Sequence, residues 1–256
     1  MIKFCAEVRE AIPGLSAFDA IEKLYEEGLS PKQPAILAVD VSPVAKIPLK
    51  TRVLFQVALR RILELTESFV REVDARAFVA PYVIGRAALE TACAAYDVWQ
   101  QAKIILEKRD KKGLGEFDER TMKGLLGAKS EEWKQALQPE SINVLTLIDR
   151  ISKDKVPNLR GIYDGLSEHA HPNFAGMTEA FSRVDTVKRE TLFVESPAKE
   201  KPKSLGSAVA AMAMSLKIIV WTVSSSELSM GELVSLCEEE IYDRGTWPKG
   251  LPYPGT

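Results

Sequence analysis

The chain has 256 residues, 46% of them hydrophobic and 27% charged, which is typical of a globular protein with a sizeable core. The net charge of −2 and the pI of about 5.9 exclude a global basic field that would attract nucleic acid. The three cysteines are widely separated and form no Cys-x-x-Cys spacing, which argues against a disulfide framework and against a zinc site.

The amino-terminal residues 1–48 predict a helical start followed by an irregular arm. They show no basic-then-apolar signal pattern, so we expect a cytoplasmic protein. A helix is predicted over residues 16–27, with Ser16 as its N-cap. Four prolines then exclude one continuous helix, and the AILAVDV segment at 35–41 is compatible with a short strand. We expect this arm to lie across a helical body.

Residues 49–240 predict a helical bundle domain, and residues 241–256 predict an irregular tail. Apolar residues recur at spacings of three and four over 50–76, which predicts an amphipathic helix. The next helix, over 79–108, is the predicted centre of the fold, because a stripe of small residues lets a neighbouring helix approach closely. That stripe consists of Ala88, Ala92, Ala95, Trp99, Ala102 and Leu106. The predicted fold class is mainly α, an antiparallel helical bundle with an N-terminal irregular arm and a small β-hairpin.

The second half of the chain predicts shorter helices, one hairpin and a long final helix. Partial alternation around a charged VKRE segment predicts the small β-hairpin within residues 181–196. Pro172 is expected to end the helix before it, because the residue that precedes a proline is displaced from helical geometry. The predicted helices are 117–128, 131–137, 141–152, 157–170 and 204–235, the last with a break at Gly231.

Two stretches are long enough to be considered as membrane spans. Residues 77–96 carry Arg86 and Glu90 at their centre, and charges are unfavourable in a lipid core. Residues 205–226 carry one charge, Lys217, together with several serines. We therefore predict two buried helices and expect no membrane partner.

Arg86 and Glu90 are the two charges of the otherwise apolar or small stretch 77–96. They lie four residues apart on one face of a helix, and because such an apolar helix is normally buried, we expect the pair inside the protein. Two interpretations are open. The pair either orients the helix as a structural ion pair, or presents a guanidinium, positioned by Glu90, to a phosphate or carboxylate. Asp97, seven residues beyond Glu90, is predicted to lie at the surface.

Both histidines of the chain lie in the segment YDGLSEHAHPN, residues 163–173. His169 and His171 do not share one face of a helix, so at most one should point into a site, and we favour His171. Tyr163, Ser167 and His171 recur at spacings of four, a polar stripe that could bind an anion or activate a hydroxyl. The alternative for His171 is an imidazolium stabilised by the helix dipole. The residues predicted to converge in one pocket are Arg86, Glu90, Tyr163, Ser167 and His171.

Metal and cofactor signatures are weak in this sequence. Glu168 and His171 have the Glu-x-x-His spacing of di-iron bundles, but such sites need a second motif of the same kind, which the sequence lacks. No P-loop, dinucleotide-binding fingerprint or zinc spacing is present. We therefore expect neither a metal nor a cofactor.

An Arg-x-x-x-Glu on a charge-poor helix, followed by Tyr-x-x-Leu-Ser-x-x-x-His-Pro at a later helix end, resembles a group of uncharacterised bacterial all-helical proteins. That group is distantly related to the HEPN-like superfamily. The resemblance covers roughly residues 52–177. The residues that carry it are Arg86, Glu90, Tyr163, Leu166, Ser167, His171 and Pro172.

The resemblance implies a helical protein that forms a homodimer and has RNA or a nucleotide as partner. Many HEPN domains are metal-independent ribonucleases with an Arg-x(4–6)-His motif. Here Arg160 precedes His169 by nine positions and His171 by eleven, so Arg86 would have to supply the charge from another helix. The expected function is binding or cleavage of RNA or a nucleotide. The alternative is a non-catalytic helical interaction or structural module, in which the polar cluster only fixes packing.

Overall fold

The protein is mainly α-helical, with one two-stranded hairpin among the residues described, which confirms the predicted fold class. The architecture comes from a computed structural model that describes residues 2–12, 15–127, 143–154 and 156–251. The helices are α1 (Ala6–Ala11), α2 (Leu15–Leu29), α3 (Ala38–Val41), α4 (Lys46–Asp74), α5 (Val79–Lys108), α6 (Leu114–Leu126), α7 (Val144–Asp154), α8 (Leu159–Ala170), α9 (Pro197–Glu200) and α10 (Gly206–Asp243). A π-helical turn (Phe174–Glu179) follows α8, and a 3₁₀ turn (Pro202–Leu205) precedes α10.

The chain forms two compact units, and the three longest helices, α4, α5 and α10, contribute residues to both. The first unit comprises Met1–Ser30, Arg60–Cys93 and Val144–Val220. The second comprises Pro31–Leu59, Ala94–Asn143 and Trp221–Thr256.

Four helices of the first unit meet at Gly85 of α5. A methyl group at this glycine would lie 3.6 Å from Leu166 of α8, 3.7 Å from the carbonyl oxygen of Ala208 in α10 and 4.0 Å from Phe69 of α4. These are ordinary van der Waals distances, so the glycine leaves room for little more than a hydrogen atom or a methyl group between the helices. About one and two helical turns further on, Ala88 and Ala92 are fully buried, as the stripe of small residues predicts. Arg86 therefore follows directly after a residue at which α5 is closely packed against three other helices.

The hairpin consists of β1 (Ser182–Asp185) and β2 (Glu190–Phe193), which confirms the predicted hairpin within 181–196. Its antiparallel register places Ser182 opposite Phe193 and Val184 opposite Thr191. Because side chains alternate across a strand, these four residues share one face of the hairpin.

Several predicted boundaries in the amino-terminal region are wrong. The predicted strand is instead the short helix α3, and α2 begins at Leu15, which removes Ser16 from the N-cap position. The helix predicted from residue 50 begins at Lys46 and includes Pro48. A proline is tolerated there because the first backbone N–H groups of a helix have no partner within the helix.

The later helices also differ in detail from the predictions. The predicted helix 131–137 lies outside the described residues. Helix α8 begins at Leu159 rather than at 157, after Asn158 in a left-handed conformation (φ 67°). Helix α10 continues through Gly231 without a break. A glycine inside a helix costs only about 1 kcal/mol, and the buried neighbours Met230 and Leu233 offset that cost.

Among the described residues, one helical run, Pro202–Asp243, is long and apolar enough to cross a membrane by length and composition alone. Half of its most apolar window is buried inside the protein, as in the core helix of a soluble protein. The run is therefore weak evidence for a membrane span.

Asp97 is buried in the second unit, so the prediction of a surface position is wrong. Its side chain is 2% exposed and accepts hydrogen bonds from Arg120 of α6, with Nε and Nη2 each 2.6 Å from Oδ2. A charge becomes tolerable at such a depth when a guanidinium pairs with it. The sequence signal was missed because this pair joins two helices rather than two positions of one helix.

Replacing Arg120 with methionine should strongly destabilise the protein, because it leaves the Asp97 carboxylate buried without its guanidinium. We expect a loss of about 3 kcal/mol or more in the free energy of unfolding, measured by urea titration. Lys123→Met is the matched control, since Lys123 lies on the same helix and pairs with the exposed Glu119. Equal stability of the two variants would contradict the assignment.

Candidate functional site

The ion pair predicted between Arg86 and Glu90 of α5 is present, with 3.0 Å between Nε and Oε1. The prediction that this pair is buried is wrong, since the Arg86 and Glu90 side chains are 27% and 31% exposed. The reason lies in the helix face that carries them. Val83, one turn before Arg86, is 46% exposed, so this side of α5 is only partly covered. The pair is therefore accessible to solutes.

Tyr163 of α8 joins the pair from a second helix. Its hydroxyl donates a hydrogen bond to Glu90 Oε1 at 2.8 Å and accepts one from Arg86 Nε at 3.0 Å. The guanidinium carbon lies 5.1 Å from the centre of the tyrosine ring, within cation–π range. One N–H of Arg86 is thus shared between a carboxylate and a phenol.

These contacts set the protonation states of the tyrosine and the arginine. Burial, and then the Glu90 carboxylate, raise the pKa of Tyr163 above its ordinary value, and Arg86 opposes this in part. Tyr163 therefore remains a hydrogen-bond donor at neutral pH. Burial disfavours the charged form of Arg86, but the contacts with Tyr163 and Glu90 outweigh it, and the pKa of Arg86 is raised.

His171 reaches the same guanidinium from the end of α8. The helix stops at Ala170, and His171 takes an extended conformation (φ −88°, ψ 152°), as the following proline predicts. Its Nε2 lies 2.8 Å from Arg86 Nη1. Because a guanidinium can only donate, Nε2 must accept, so the imidazole is neutral and its proton is on Nδ1. His171 is exposed, which leaves this contact open to a ligand.

Ser167 lies on α8 between Tyr163 and His171, but its hydroxyl does not join this network. The Oγ atom is buried and has no hydrogen-bond partner among the residues described. Its backbone carbonyl accepts the N–H of His171 at 2.9 Å. The structure thus brings together four of the five predicted site residues through side-chain contacts, and the fifth through its backbone.

His169 has a separate environment, as expected for two histidines that do not share a helix face. Its ring stacks on Tyr82 with 4.3 Å between centroids and 10° between planes. Its Nδ1 lies 2.9 Å from the carbonyl oxygen of Gly165. His169 therefore packs α8 against α5 and leaves His171 to face Arg86.

Sequence reasoning missed Gly176, which positions His171. Gly176 is buried in the π-helical turn, and a Cβ atom there would lie 2.2 Å from the carbonyl oxygen of His171 and 2.9 Å from that of His169. Asn173 holds this turn, since its Oδ1 accepts the Gly176 N–H at 3.0 Å and its Nδ2 donates to Glu168 at 2.6 Å. The Asn-x-x-Gly spacing, with Asn at an N-cap, was the available signal.

A groove of about 670 Å³ adjoins His171 on the side of the π-helical turn and the hairpin. One wall is the carboxyl end of α8, and the other is the hairpin face that carries Phe193. Its lining is mainly apolar, and includes Val79, His169, His171, Met177, Phe181 and Phe193.

Comparison with models of known families, with curated proteins and with solved structures finds no match to this chain. The fold and the site define a mainly α-helical protein with an accessible Arg–Glu–Tyr–His cluster, and the HEPN-like resemblance stays a prediction from its motifs. In the described part of the chain, no three His, Cys, Asp or Glu side chains are grouped so that they could hold a metal ion.

Replacing Gly176 with alanine should displace the π-helical turn from the end of α8, because the new methyl group meets backbone rather than a flexible side chain. We expect a loss of about 1–3 kcal/mol in the free energy of unfolding by urea titration. Gly165→Ala is the matched control, since a methyl group on that helical glycine contacts nothing within 4 Å and should stabilise by up to about 1 kcal/mol. A Gly176→Ala protein as stable as wild type would refute the close approach.

Proposed function

We propose that this protein binds the phosphate groups of RNA or of a nucleotide at Arg86 and His171, and that it cleaves RNA there as a HEPN-like, metal-independent ribonuclease. The observation that carries the proposal is the 2.8 Å contact between Arg86 Nη1 and an exposed, neutral His171. The required arginine comes from α5 rather than from the helix that carries the histidine. In the HEPN motif four to six residues of the chain separate the arginine from the histidine. Here the two residues come from different helices and meet in space.

Arg86 supplies positive charge and free donors to a phosphate. Its Nε is occupied by Glu90 and Tyr163, and Nη1 contacts His171, whereas Nη2 bonds to none of the residues described. A phosphate oxygen can accept from Nη2, and a second one from Nη1 when His171 turns to the substrate. Two parallel bonds of this kind are the geometry for which a guanidinium is suited.

His171 supplies the proton acceptor. In the free protein the Nε2 lone pair accepts from Arg86 Nη1. Once His171 turns to the substrate, this neutral nitrogen can take the proton of an RNA 2′-hydroxyl. The 2′-oxygen then attacks the adjacent phosphorus, the bond from phosphorus to the 5′-oxygen breaks, and a 2′,3′-cyclic phosphate forms. The leaving 5′-oxygen takes up a proton from water, and the His171 imidazolium afterwards returns its proton to solvent. Arg86 stabilises the charge on the non-bridging oxygens.

Glu90 and Tyr163 act as positioning residues. Glu90 Oε1 accepts hydrogen bonds from both Arg86 and Tyr163, so the direction of the guanidinium is fixed from two helices. Such support from surrounding groups keeps a phosphate-binding donor set rigid before the ligand arrives.

The second candidate is a non-catalytic helical module, and one observation favours it. Arg86, Glu90, Tyr163 and His171 bond to one another, so the cluster is already largely satisfied without a ligand. In that case its function is to hold the end of α8 against α5.

The two candidates are separated by single-stranded RNA labelled at one end, incubated with wild type, Arg86→Gln, His171→Gln and His171→Ala. Glutamine can still accept the Arg86 bond but cannot take up a proton. We expect His171→Gln to keep the stability of wild type and to lose cleavage by about 100-fold or more. Arg86→Gln should lose both cleavage and RNA affinity, and RNA with 2′-deoxyribose should bind without being cleaved.

Arg160→Gln is the matched control, since it removes one positive charge from α8 at a side chain that pairs with Asp149 and Asp164 instead. It should cleave like wild type. RNA affinity that is undetectable, or unchanged in Arg86→Gln, would contradict the proposal. If wild type cleaves no RNA, and His171→Ala loses stability that His171→Gln retains, the cluster belongs to the structural module.

A further inference from the structure

We propose that the groove beside His171 holds the unpaired base of the nucleotide whose phosphate lies at Arg86, so that the substrate is single-stranded. This inference rests on the proposed function and names its substrate class. The groove and the charged cluster share one residue, because His171 lines the groove and its Nε2 contacts Arg86. An apolar groove beside a cation matches a ligand with an aromatic ring at one end and a phosphate at the other.

The hairpin gives the groove an aromatic wall. Phe193, Thr191 and Ser182 all line the groove, as expected from their common face in the strand register. Phe193 is 84% exposed, although it lies within the lining. A phenylalanine that is open to solvent on this scale makes few contacts within the chain, and aromatic side chains in such positions are the usual platforms for stacking unpaired bases.

The opposite wall is rigid and also aromatic. His169 lines the groove while its ring stacks on Tyr82, and Phe181, directly before β1, also lines it. A base that enters the groove would stack on Phe193 beside the held imidazole of His169. The preorganised ring of His169 lowers the entropy lost on binding.

The polar atoms of the groove suit a nucleobase better than they suit a purely apolar ligand. The hydroxyl-bearing side chains Thr178, Ser182 and Thr191 are distributed among its apolar residues. Hydroxyl groups both donate and accept, so they can meet the edge of any base without strong sequence preference. The volume of about 670 Å³ lies within the range of about 300–1,000 Å³ typical of small-ligand sites.

Stacking on Phe193 requires a base that is not paired. A base reaches a stacking platform of this kind only when it is unstacked and unpaired, as in single strands and loops. A second copy of the chain could also cover Phe193, and the oligomeric state of the protein distinguishes this occupant from a base.

The test compares the affinities of adenosine 5′-monophosphate and ribose 5-phosphate for the full chain by isothermal titration calorimetry. Wild type should bind the nucleotide at least tenfold more tightly. Phe193→Ala should weaken nucleotide binding by about tenfold and leave ribose 5-phosphate binding unchanged, while Phe193→Trp retains nucleotide binding. Leu192→Ala is the matched control, since Leu192 is an exposed apolar residue on the other face of the same strand.

The outcomes distinguish the inference from the function on which it rests. Equal binding of the two compounds, weakened in Arg86→Gln, would overturn the base site and leave the phosphate site standing. If neither compound binds, or if Arg86→Gln does not weaken their binding, both the base site and the phosphate site are overturned. A wild-type dimer that dissociates in Phe193→Ala but not in Leu192→Ala, seen by sedimentation, would show that a second copy covers the groove and would also overturn the base site.

Discussion

The proposed site depends on the hydrogen bonds of the Arg86 guanidinium. This guanidinium reaches a carboxylate on its own helix, a phenol on α8 and the imidazole that terminates α8. The position of Arg86 follows from the packing at the neighbouring residue 85, where α5 lies close to α4, α8 and α10. The position of His171 follows from Pro172, which ends α8, and from Gly176, which lets the π-helical turn pack on its carbonyl groups. Backbone constraints thus place both partners before any ligand binds.

The same arrangement explains why the cluster is neither wholly buried nor wholly exposed. Full burial would require nearly every charge and donor to be paired within the chain, and no ligand could enter. Full exposure would surround the guanidinium with water and weaken its attraction for a phosphate. Partial cover by Tyr163, with Arg86 about one quarter exposed, lies between these limits. The adjoining groove extends the partly covered region with apolar and aromatic surface.

Much of the fold could be predicted from sequence because its signals are local. The period of α5, the stop at Pro172 and the alternation of the hairpin each depend on nearby residues. The spacing of four along α8 also placed Tyr163 and His171 on the correct side. Features set by contacts between distant segments could not be predicted. The burial of Asp97 depends on Arg120 in another helix. The exposure of Arg86 depends on the incomplete cover of one face of α5 by other segments. The role of Gly176 depends on backbone carbonyl groups at the end of α8.

The contact between Arg86 and His171 is tested most directly by the protonation of the imidazole nitrogens. The chain has two histidines, so long-range ¹H–¹⁵N correlation spectra at neutral pH contain two imidazole patterns, and His171→Gln assigns them. The structure predicts that His171 carries its proton on Nδ1 and has an unprotonated Nε2. It also predicts that the Nε2 resonance shifts when a single-stranded RNA is added to wild type but not to Arg86→Gln. A proton on Nε2 in the free protein, or a spectrum unaffected by RNA, would contradict this account of the site.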